Sequence, residues 1–317
     1  MKFIIYTLII LLFILILVII FSFICFMMTF YSKPRKPIKE NEYDFPPGKA
    51  YKKYYEKIKI WSNEWDTLPY EEVEIKSKDG LVLRGRYFES KKGAPIELMF
   101  HGYKGSARRD MSAGIKRAFK VGRNALLVDQ RASGLSEGHV ITFGVKEKED
   151  CLKWIDFMIS KFGPEVKIIL PGISMGAATV LLVSSNNLPT NVISILADCS
   201  YSSGKEMIKK VISEMHLPSK ILFPFVRLGG LLFGHFDINH ASPIKAVKRA
   251  TVPILFIHGG NDYYVPFSMS ERLYEACTSL KKLAIIPNAS HGLAYPENPS
   301  MYIQAIYNFE NELKKYK

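Results

Sequence analysis

The pattern of apolar and polar positions divides the chain into an apolar N-terminus, a polar lead-in and a long region of alternating short elements. Residues 3–31 are apolar almost without interruption, with Thr7, Ser22 and Thr29 as mild exceptions. A helix needs about 20 apolar residues to cross the hydrocarbon core of a bilayer, and this run is longer. We therefore predict a transmembrane anchor over residues 1–31.

A secretory signal peptide is the competing interpretation of the apolar N-terminus, because Lys2 supplies a short positive region before it. The apolar part of a signal peptide is about 7–15 residues long and is followed by a cleavage site with small side chains. Here the run is much longer, and residues 26–30 are mostly large. An uncleaved, single-pass anchor is therefore favoured.

The charges on the two sides of the span leave the orientation in the membrane open. Four basic residues follow the span closely, namely Lys33, Arg35, Lys36 and Lys39, whereas Lys2 and the α-amino group precede it. By the positive-inside rule this places the C-terminal region in the cytoplasm. Many exported domains also begin with a lysine before a span, and long domains can translocate despite such charges. Both orientations stay open.

Residues 32–69 are predicted to form a linker and an amphipathic lead-in. Residues 32–47 combine prolines with charged residues, which is typical of a linker. Residues 50–65 place tyrosine, isoleucine and tryptophan among lysines, which favours an amphipathic helix. This helix is expected either to pack on the first strands of the following domain or to lie at the membrane interface.

Residues 70–317 show the alternation of one α/β domain. Residues 71–77 and 81–88 alternate apolar and polar positions across a Lys-Asp-Gly turn, which predicts a hairpin. Short apolar runs then alternate with amphipathic helical segments; these runs lie at 96–100, 125–129, 168–170, 192–197, 253–257 and 282–286. This rhythm predicts an α/β fold with a mostly parallel, eight-stranded sheet and helices on both of its faces.

The interval at about 203–250 interrupts this rhythm between two of the predicted core strands. It is rich in large apolar residues and carries eight lysines and arginines against three carboxylates, a net charge of +5. We predict a helical cap that lies over the site and shapes its pocket. The alternative is that the apolar residues only pack the cap onto the domain. A basic, apolar cap beside an anchor would suit a lipid-like substrate.

The segment Gly-Ile-Ser-Met-Gly at 172–176 carries the strongest chemical signal. It fits the pattern G-x-S-x-G, with Ser174 at its centre, between a predicted buried strand and an apolar helix. Strand, sharp turn and helix in this order are the context of a nucleophile elbow. Gly172 and Gly176 are expected where the two backbones pass too close for a Cβ. A chance match in an ordinary strand–helix turn is the alternative.

A nucleophilic serine needs a base, and the base needs an acid that orients it. Asp262 and His291 lie in the loops after the last two predicted strands, in the order Ser, Asp, His that this architecture requires. We therefore predict Ser174 as the nucleophile, His291 as the base and Asp262 as the acid. Asp198, directly after another strand, is the alternative acid. His258 is expected to pack in its loop rather than react.

Stabilising the oxyanion requires two backbone N–H groups aimed at the developing charge. Met175 follows the predicted nucleophile and begins a helix, where the helix dipole also helps. The loop after the strand at 96–100 should supply the second donor, and Tyr103 is the predicted residue. His101 and Gly102 are expected to shape that turn rather than to react.

Charge and cysteine usage argue against several other classes of protein. The formal charge of +13 comes with scattered lysines and no basic-aromatic motif, so we predict no nucleic-acid partner. The cysteines have neither a C-x-x-C pair nor metal-ligand spacing; they are Cys25, Cys151, Cys199 and Cys277. No disulfide framework, metal or cofactor is predicted. The oligomeric state stays open.

Five motifs in order resemble the α/β-hydrolase superfamily. They are His-Gly-x-x-Gly-Ser at 101–106, Asp-x-Arg at 129–131 with Gly-x-Ser-x-Gly at 134–138, Gly-x-Ser-x-Gly at 172–176, Gly-x-x-Asp-x-x-Val-Pro at 259–266 and Ser-His-Gly at 290–292. More narrowly, the chain resembles the serine aminopeptidase/monoacylglycerol-lipase-like group with a membrane-anchored N-terminus. The resemblance covers residues 70–317 and implies the α/β-hydrolase fold. One departure is Ala132, where many relatives have glycine.

These features together predict a membrane-anchored serine hydrolase that cleaves carboxylic ester or thioester bonds through an acyl-enzyme. The expected substrate is a small-molecule or lipid-like ester, as in an esterase or a lipase-like enzyme. A serine peptidase of the aminopeptidase type is one alternative, because it uses the same carbonyl chemistry. A non-catalytic membrane scaffold that keeps the fold for binding is another. The ordered Ser, Asp and His favour an enzyme.

Overall fold

The computed structural model describes residues 1–33, 43–46 and 48–315, and within these residues the chain forms eight strands and eleven α-helices. The strands are β1 (Glu71–Lys76), β2 (Val82–Phe88), β3 (Ile96–Phe100), β4 (Asn124–Val128), β5 (Ile168–Ile173), β6 (Val192–Asp198), β7 (Ile254–Gly259) and β8 (Lys281–Ile286). The helices are α1 (Lys2–Thr29), α2 (Tyr55–Thr67), α3 (Ala107–Lys120), α4 (Glu147–Phe162), α5 (Met175–Val183), α6 (Gly204–Glu214), α7 (Ser219–Phe233), α8 (Pro243–Ala246), α9 (Ser268–Ala276), α10 (Ala294–Glu297) and α11 (Pro299–Lys315). Most of the predicted proline-rich linker, with Arg35, Lys36 and Lys39, lies outside the described residues.

The strands form one sheet in the order β1-β2-β4-β3-β5-β6-β7-β8. Strand β2 runs antiparallel to both of its neighbours, and the remaining pairs are parallel. The predicted hairpin is present, because β1 and β2 pair in the register that places Glu71 opposite Tyr87. The predicted eight-stranded, mostly parallel sheet is therefore confirmed.

Side chains of the central strand β5 pack alternately on the two faces of the sheet, as the two-residue period of a strand requires. Ile168 and Leu170 belong to the cluster that contains Trp154 of α4, whereas Ile169 packs with Phe309 of α11 on the other face. Both faces are thus covered by helices, which is why the parallel strands are continuous apolar runs rather than alternating ones.

Residues 203–250 form the predicted helical insertion, built mainly from α6 and α7. Its inner side chains, among them Met207 and Phe223, join Met175 and Phe143 of the main domain in one apolar cluster. The predicted helical insertion is therefore present, and it packs directly on the start of α5.

Helix α1 is mostly exposed but ends inside the domain. Among the described residues it is the one helix that is long and apolar enough to cross a membrane. Its last turns nevertheless pack against α7: Ser22 and Phe26 are buried, and Phe30 just beyond the helix is fully buried. The ring of Phe23 meets that of Phe233 edge-on, with centroids 5.0 Å apart. The N-terminal helix is thus part of the folded domain at its C-terminal end.

The lead-in helix α2 lies against the domain, which is one of the two positions expected for it. It packs on α3, and Trp65 joins Phe88 of β2 and Met111 of α3 in an apolar cluster. Ile58 and Trp61 contact Leu293, which follows the last strand. The lead-in therefore covers the same sheet edge that carries the predicted site.

Replacing Gly229 of α7 by valine is expected to separate α1 from the insertion. A Cβ at this position would lie 2.9 Å from the Cβ of Phe26 and closer still to the carbonyl oxygen of Ser22. Such overpacking costs on the order of 1–3 kcal/mol. We expect a lower midpoint of thermal unfolding for the detergent-purified variant. Leu231→Val, in the same helix but exposed, is the matched control; equal midpoints for the two variants would contradict the packing of α1 on α7.

Candidate active site

A sharp turn between β5 and α5 presents Ser174 at the edge of the sheet. Ser174 has φ 56° and ψ −115°, in the left-handed region that a non-glycine residue adopts at a cost. The flanking glycines permit the turn, because a Cβ on Gly172 would come within 2.5 Å of the Ala177 nitrogen. A Cβ on Gly176 would come within 2.6 Å of the His101 carbonyl oxygen. The predicted elbow glycines therefore lie where backbones touch.

The structure brings Ser174, His291 and Asp262 into one hydrogen-bonded chain. The Nε2 atom of His291 lies 2.9 Å from Ser174 Oγ, and its Nδ1 atom lies 2.7 Å from Asp262 Oδ2. Asp262 follows β7 and His291 follows β8, so the parallel strands deliver both residues to the edge where β5 ends. This arrangement can transfer a proton from the serine hydroxyl to the imidazole.

The environment of Asp262 favours its ionised form. Burial opposes ionisation, but hydrogen bonds from His258, His291 and the Val265 N–H lower the pKa of Asp262 to about 2. His258 is itself fully buried, donates through Nε2 to the Val265 carbonyl oxygen and accepts from the hydroxyl of Ser270. His258 therefore packs in its loop, as expected, and also supports the carboxylate.

Two tyrosines hold His291 in place. The hydroxyl of Tyr51 donates to the His291 carbonyl oxygen at 2.7 Å, and the Tyr264 ring meets the imidazole edge-on at 5.0 Å. Sequence reasoning missed both contacts. Tyr51 belongs to the lead-in, about 240 residues before His291 in the chain. The aromatic, amphipathic pattern of the lead-in indicated that one face of this segment is buried, but not which residues it contacts.

The loop after β3, which carries the predicted oxyanion donor Tyr103, lies beside the turn that carries Ser174. Met175 begins α5, where the first N–H groups have no partner inside the helix. Tyr103 lines the same cavity as Ser174. Hydrogen bonds hold the loop in place. The Gly102 N–H donates to Asp110 Oδ2 at 3.2 Å, and Gln130 donates through its backbone N–H to the ring of His101 and through its side-chain amide to the carbonyl oxygen of His101. His101 thus shapes the turn, as predicted.

The Tyr103 side chain reaches the N-terminal helix. Its hydroxyl donates to the carbonyl oxygen of Thr29 at 2.7 Å, and its ring packs 5.1 Å from that of Phe143. The ammonium group of the neighbouring Lys104 lies 3.5 Å from the carbonyl oxygen of Met28. The last turn of α1 therefore supports the loop that carries the predicted oxyanion donor.

A cavity of about 640 Å³ opens at Ser174. Its walls come from the lead-in, from α3 and from the loops after β7 and β8; they include Tyr51, Ile58, Trp61, Met111 and Leu293. Among the described residues, none between 203 and 250 lines it. The expectation that the cap shapes the pocket is therefore wrong for this cavity. The insertion is instead occupied by its contacts with α1 and with the start of α5.

Asp198, the alternative acid, lies in the wall of the cavity but does not bond to His291. Its Oδ1 atom is buried without a hydrogen-bond partner within the described part of the chain, and Tyr302 hydrogen-bonds to the carboxyl group. Burial raises the pKa of Asp198 to about 6. The geometry therefore favours Asp262 as the partner of the base, whereas Asp198 is a neighbouring carboxyl group whose ionisation is opposed by burial.

Cys199 lies beneath the same group of side chains, which sequence spacing did not indicate. Its Sγ atom and donor atoms of Asp262 and His291 all lie within 4.8 Å of one another, close enough to surround a metal ion. Zinc binds thiolate, however, and burial raises the pKa of the Cys199 thiol well above its usual range. A metal would also have to break the hydrogen bond between His291 and Asp262. The arrangement suits proton transfer better than metal binding.

Comparison with known proteins matches parts of the chain to one family model and to a curated relative. The model of the prolyl oligopeptidase family matches residues 234–315, the part that carries Asp262 and His291. The uncharacterized protein YqkD of Bacillus subtilis (strain 168) is 32% identical over 190 residues, which are 60% of this chain and 62% of that protein. The match thus spans less than two thirds of the Bacillus protein.

Two solved structures from Pyrococcus species share the architecture. The esterase Pf2001 of Pyrococcus furiosus superimposes with a TM-score of 0.66 at 21% identity, covering 89% of this chain and 98% of the esterase. An acylaminoacyl peptidase of Pyrococcus horikoshii superimposes with a TM-score of 0.57 at 19% identity, covering 80% of this chain and 43% of the peptidase. At these identities the likeness concerns the fold.

Replacing Asp198 by asparagine is expected to flatten the pH dependence of stability. The pKa of Asp198 is about 6 in the folded protein and 3.8 ordinarily, so the folded state loses stability as the pH rises through 6. The loss reaches about 3 kcal/mol, and the neutral asparagine avoids it. Thermal unfolding followed by circular dichroism should show that the stability of the variant relative to the wild type increases between pH 4 and pH 7.

Asp262→Asn is the control, because the pKa of Asp262 is shifted in the opposite direction to that of Asp198. The pKa of Asp262 is lowered to about 2, so its charged form contributes stability that is present above pH 4 and lost as the pH falls through 2. This variant should therefore be less stable than the wild type at both pH values. If Asp198→Asn and the wild type instead respond equally to pH, Asp198 is ionised without cost and the interpretation is wrong.

Proposed function

We propose that this chain is a membrane-anchored serine hydrolase of the α/β-hydrolase superfamily, and that it cleaves carboxylic ester or thioester bonds. The match to the prolyl oligopeptidase family over residues 234–315 and the likeness in fold to an esterase support this proposal. The observation that carries the proposal is the hydrogen-bonded chain from Ser174 through His291 to Asp262. A serine hydroxyl within hydrogen-bond reach of an oriented imidazole is the recognisable feature of nucleophilic acyl transfer.

The first half of the reaction forms an acyl-enzyme. Ser174 Oγ attacks the carbonyl carbon while His291 Nε2 takes the hydroxyl proton, and Asp262 stabilises the resulting imidazolium. The backbone N–H groups of Met175 and Tyr103 bind the oxyanion of the tetrahedral intermediate. The bond to the alcohol or thiol then breaks, and this leaving group takes the proton from His291.

The second half of the reaction restores the enzyme. A water molecule gives a proton to His291 Nε2 and attacks the acyl carbonyl, and the same two N–H groups hold the second oxyanion. The acid product leaves as the bond to Ser174 Oγ breaks, and the serine recovers its proton from His291. No cofactor or metal takes part in this scheme.

The cavity supports an ester with an apolar acyl group. Side chains such as Ile58, Trp61, Met111 and Leu293 supply apolar wall around Ser174, and the volume of about 640 Å³ lies within the usual range for small-molecule pockets. A lipid-like ester that reaches the site from the membrane fits these walls. The acyl chain would lie between α2 and α3.

The N-terminal helix supports permanent anchoring rather than removal as a signal peptide. Apart from Lys2 and Thr7, the exposed part of α1 is apolar, as expected for a helix in contact with lipid. Its C-terminal part is buried in the domain through Phe26 and Phe30. Cleavage after the apolar run would remove side chains that the domain encloses.

A serine peptidase is the second candidate, and the match to the prolyl oligopeptidase family over residues 234–315 favours it. Peptidases and esterases share the acyl-enzyme route and differ in the leaving group. They therefore have to be distinguished by substrate.

Fluorophosphonate labelling of detergent-purified protein tests the nucleophile and the acid. The wild type should be labelled, Ser174→Ala should lose labelling entirely, and Asp262→Asn should label at a rate lower by about 10⁴-fold. Asp198→Asn should label like the wild type, because its carboxyl group does not touch the imidazole. Ser185→Ala, a serine just beyond α5, is the matched control. A folded wild type that resists labelling would favour the non-catalytic scaffold.

A substrate series separates the two enzymatic candidates. We expect p-nitrophenyl esters of medium-length acids to be hydrolysed with kcat/KM at least about 100-fold above that of aminoacyl p-nitroanilides. The apolar cavity should make kcat/KM rise with acyl length before it falls. Preferential cleavage of the anilides, with Ser174→Ala inactive on both, would establish the peptidase instead.

A further inference from the structure

Helix α7 is apolar on the side that faces away from the domain as well as on its inner side. Phe223 and Val226 are buried, whereas Ile221, Leu231 and Leu232 are exposed. The turn that joins α6 to α7 adds Met215 and Leu217, which are also exposed; these lie at the tip of the helical pair. A helix that is apolar around most of its circumference is normally buried in protein or in lipid.

The position of α7 along α1 indicates which of these applies. The ring of Phe225 meets Phe21 edge-on at 5.0 Å, and Phe233 meets Phe23 at the same distance. Helix α7 therefore runs beside the last third of α1, and its N-terminal end lies nearest the middle of α1. The exposed apolar side chains of α7 thus belong to a helix that packs directly against the exposed, apolar α1.

The length of α1 places this contact at the edge of the bilayer. Its 28 residues span about 42 Å, whereas the hydrocarbon core is about 30 Å thick. With Phe3 at the far boundary of the core, the near boundary falls close to Ser22, beside α7. The remainder of α1 then crosses the headgroup region on its way to the domain.

The charges on this surface suit the headgroup region. Arg227 lies on the exposed side of α7 but is held by both carboxylate oxygens of Asp237, at 3.0 and 2.7 Å. Lys209 of α6 extends over the ring of Phe223, with its ammonium group 5.3 Å from the ring centre. Long basic side chains that cover apolar groups and end in charges are typical of membrane interfaces.

We propose that α7 and the turn before it form a second membrane-contacting element, which inserts into the interfacial region of the bilayer beside α1. The partner is the lipid bilayer itself. The inference rests on the anchoring part of the proposed function and not on the hydrolytic part. Residues 203–250 then serve to dock the domain on the membrane, which agrees with their absence from the walls of the described cavity.

Docking in this way brings the cavity to the bilayer surface. Tyr103 and Lys104 line the cavity, and both reach the carbonyl groups at the end of α1.

Depth-dependent quenching tests the proposal on the full-length protein. Single cysteines at Leu231 and Leu232 of α7 are labelled with the fluorophore NBD in a Cys25→Ala background; the other native cysteines are buried. The protein is placed in phosphatidylcholine/phosphatidylglycerol nanodiscs that contain doxyl-labelled lipid. Leu15→Cys, in the exposed part of α1, reports quenching inside the bilayer. Met301→Cys on α11 is the matched control, because Leu232 and Met301 are similarly exposed, at 45% and 41%.

We expect the labels on α7 to be quenched several-fold more than the label at Met301, with shallow doxyl groups more effective than deep ones. Quenching on α7 no greater than at Met301, while Leu15 is quenched, would overturn the proposal. Fluorophosphonate labelling of the same samples reports the hydrolytic proposal separately, so the failure of one is distinguishable from the failure of the other.

Discussion

The close approach of backbones at the β5–α5 turn is the constraint on which the rest of the site depends. Gly172 and Gly176 let the start of α5 come into contact with the end of β3, and this contact forces Ser174 into its left-handed conformation. Once the serine is fixed at that edge, the parallel register of β7 and β8 brings Asp262 and His291 to it. The arrangement of the site therefore follows from the geometry of the sheet and from the two glycines, which have no Cβ.

The sequence predicted the features that depend on local periodicity and on strand order. Apolar runs identified the strands, and the order of Ser174, Asp262 and His291 placed each residue after a strand of a parallel sheet, so their meeting required no knowledge of loop structure. The choice between Asp262 and Asp198 was harder, because both follow strands at the same edge. Only side-chain geometry separates a carboxylate bonded to the imidazole from one buried beside it.

Contacts between segments far apart in the chain could not be read from the sequence. The amphipathic pattern of the lead-in showed that one face of α2 must be buried, but not that Tyr51 would bond to the backbone of His291. The apolar pattern of residues 203–250 likewise fits packing on the domain, contact with α1 or enclosure of a pocket. The hydrophobic effect favours the burial of apolar side chains against any apolar surface. The pattern of residues 203–250 therefore does not indicate which of these surfaces they contact.

The hydrogen bond from Tyr103 to the carbonyl oxygen of Thr29 makes the end of the N-terminal helix a structural member of the site. The boundary of the folded domain thus lies within the apolar helix, close to Ser22, rather than in the linker after it. A shortened version that begins in the linker would lack the apolar helix, but it would also lack Phe26 and Phe30, which are buried in the domain. The loop that carries Tyr103 would then lack its contact with α1, so measurements on that version would not describe the intact site.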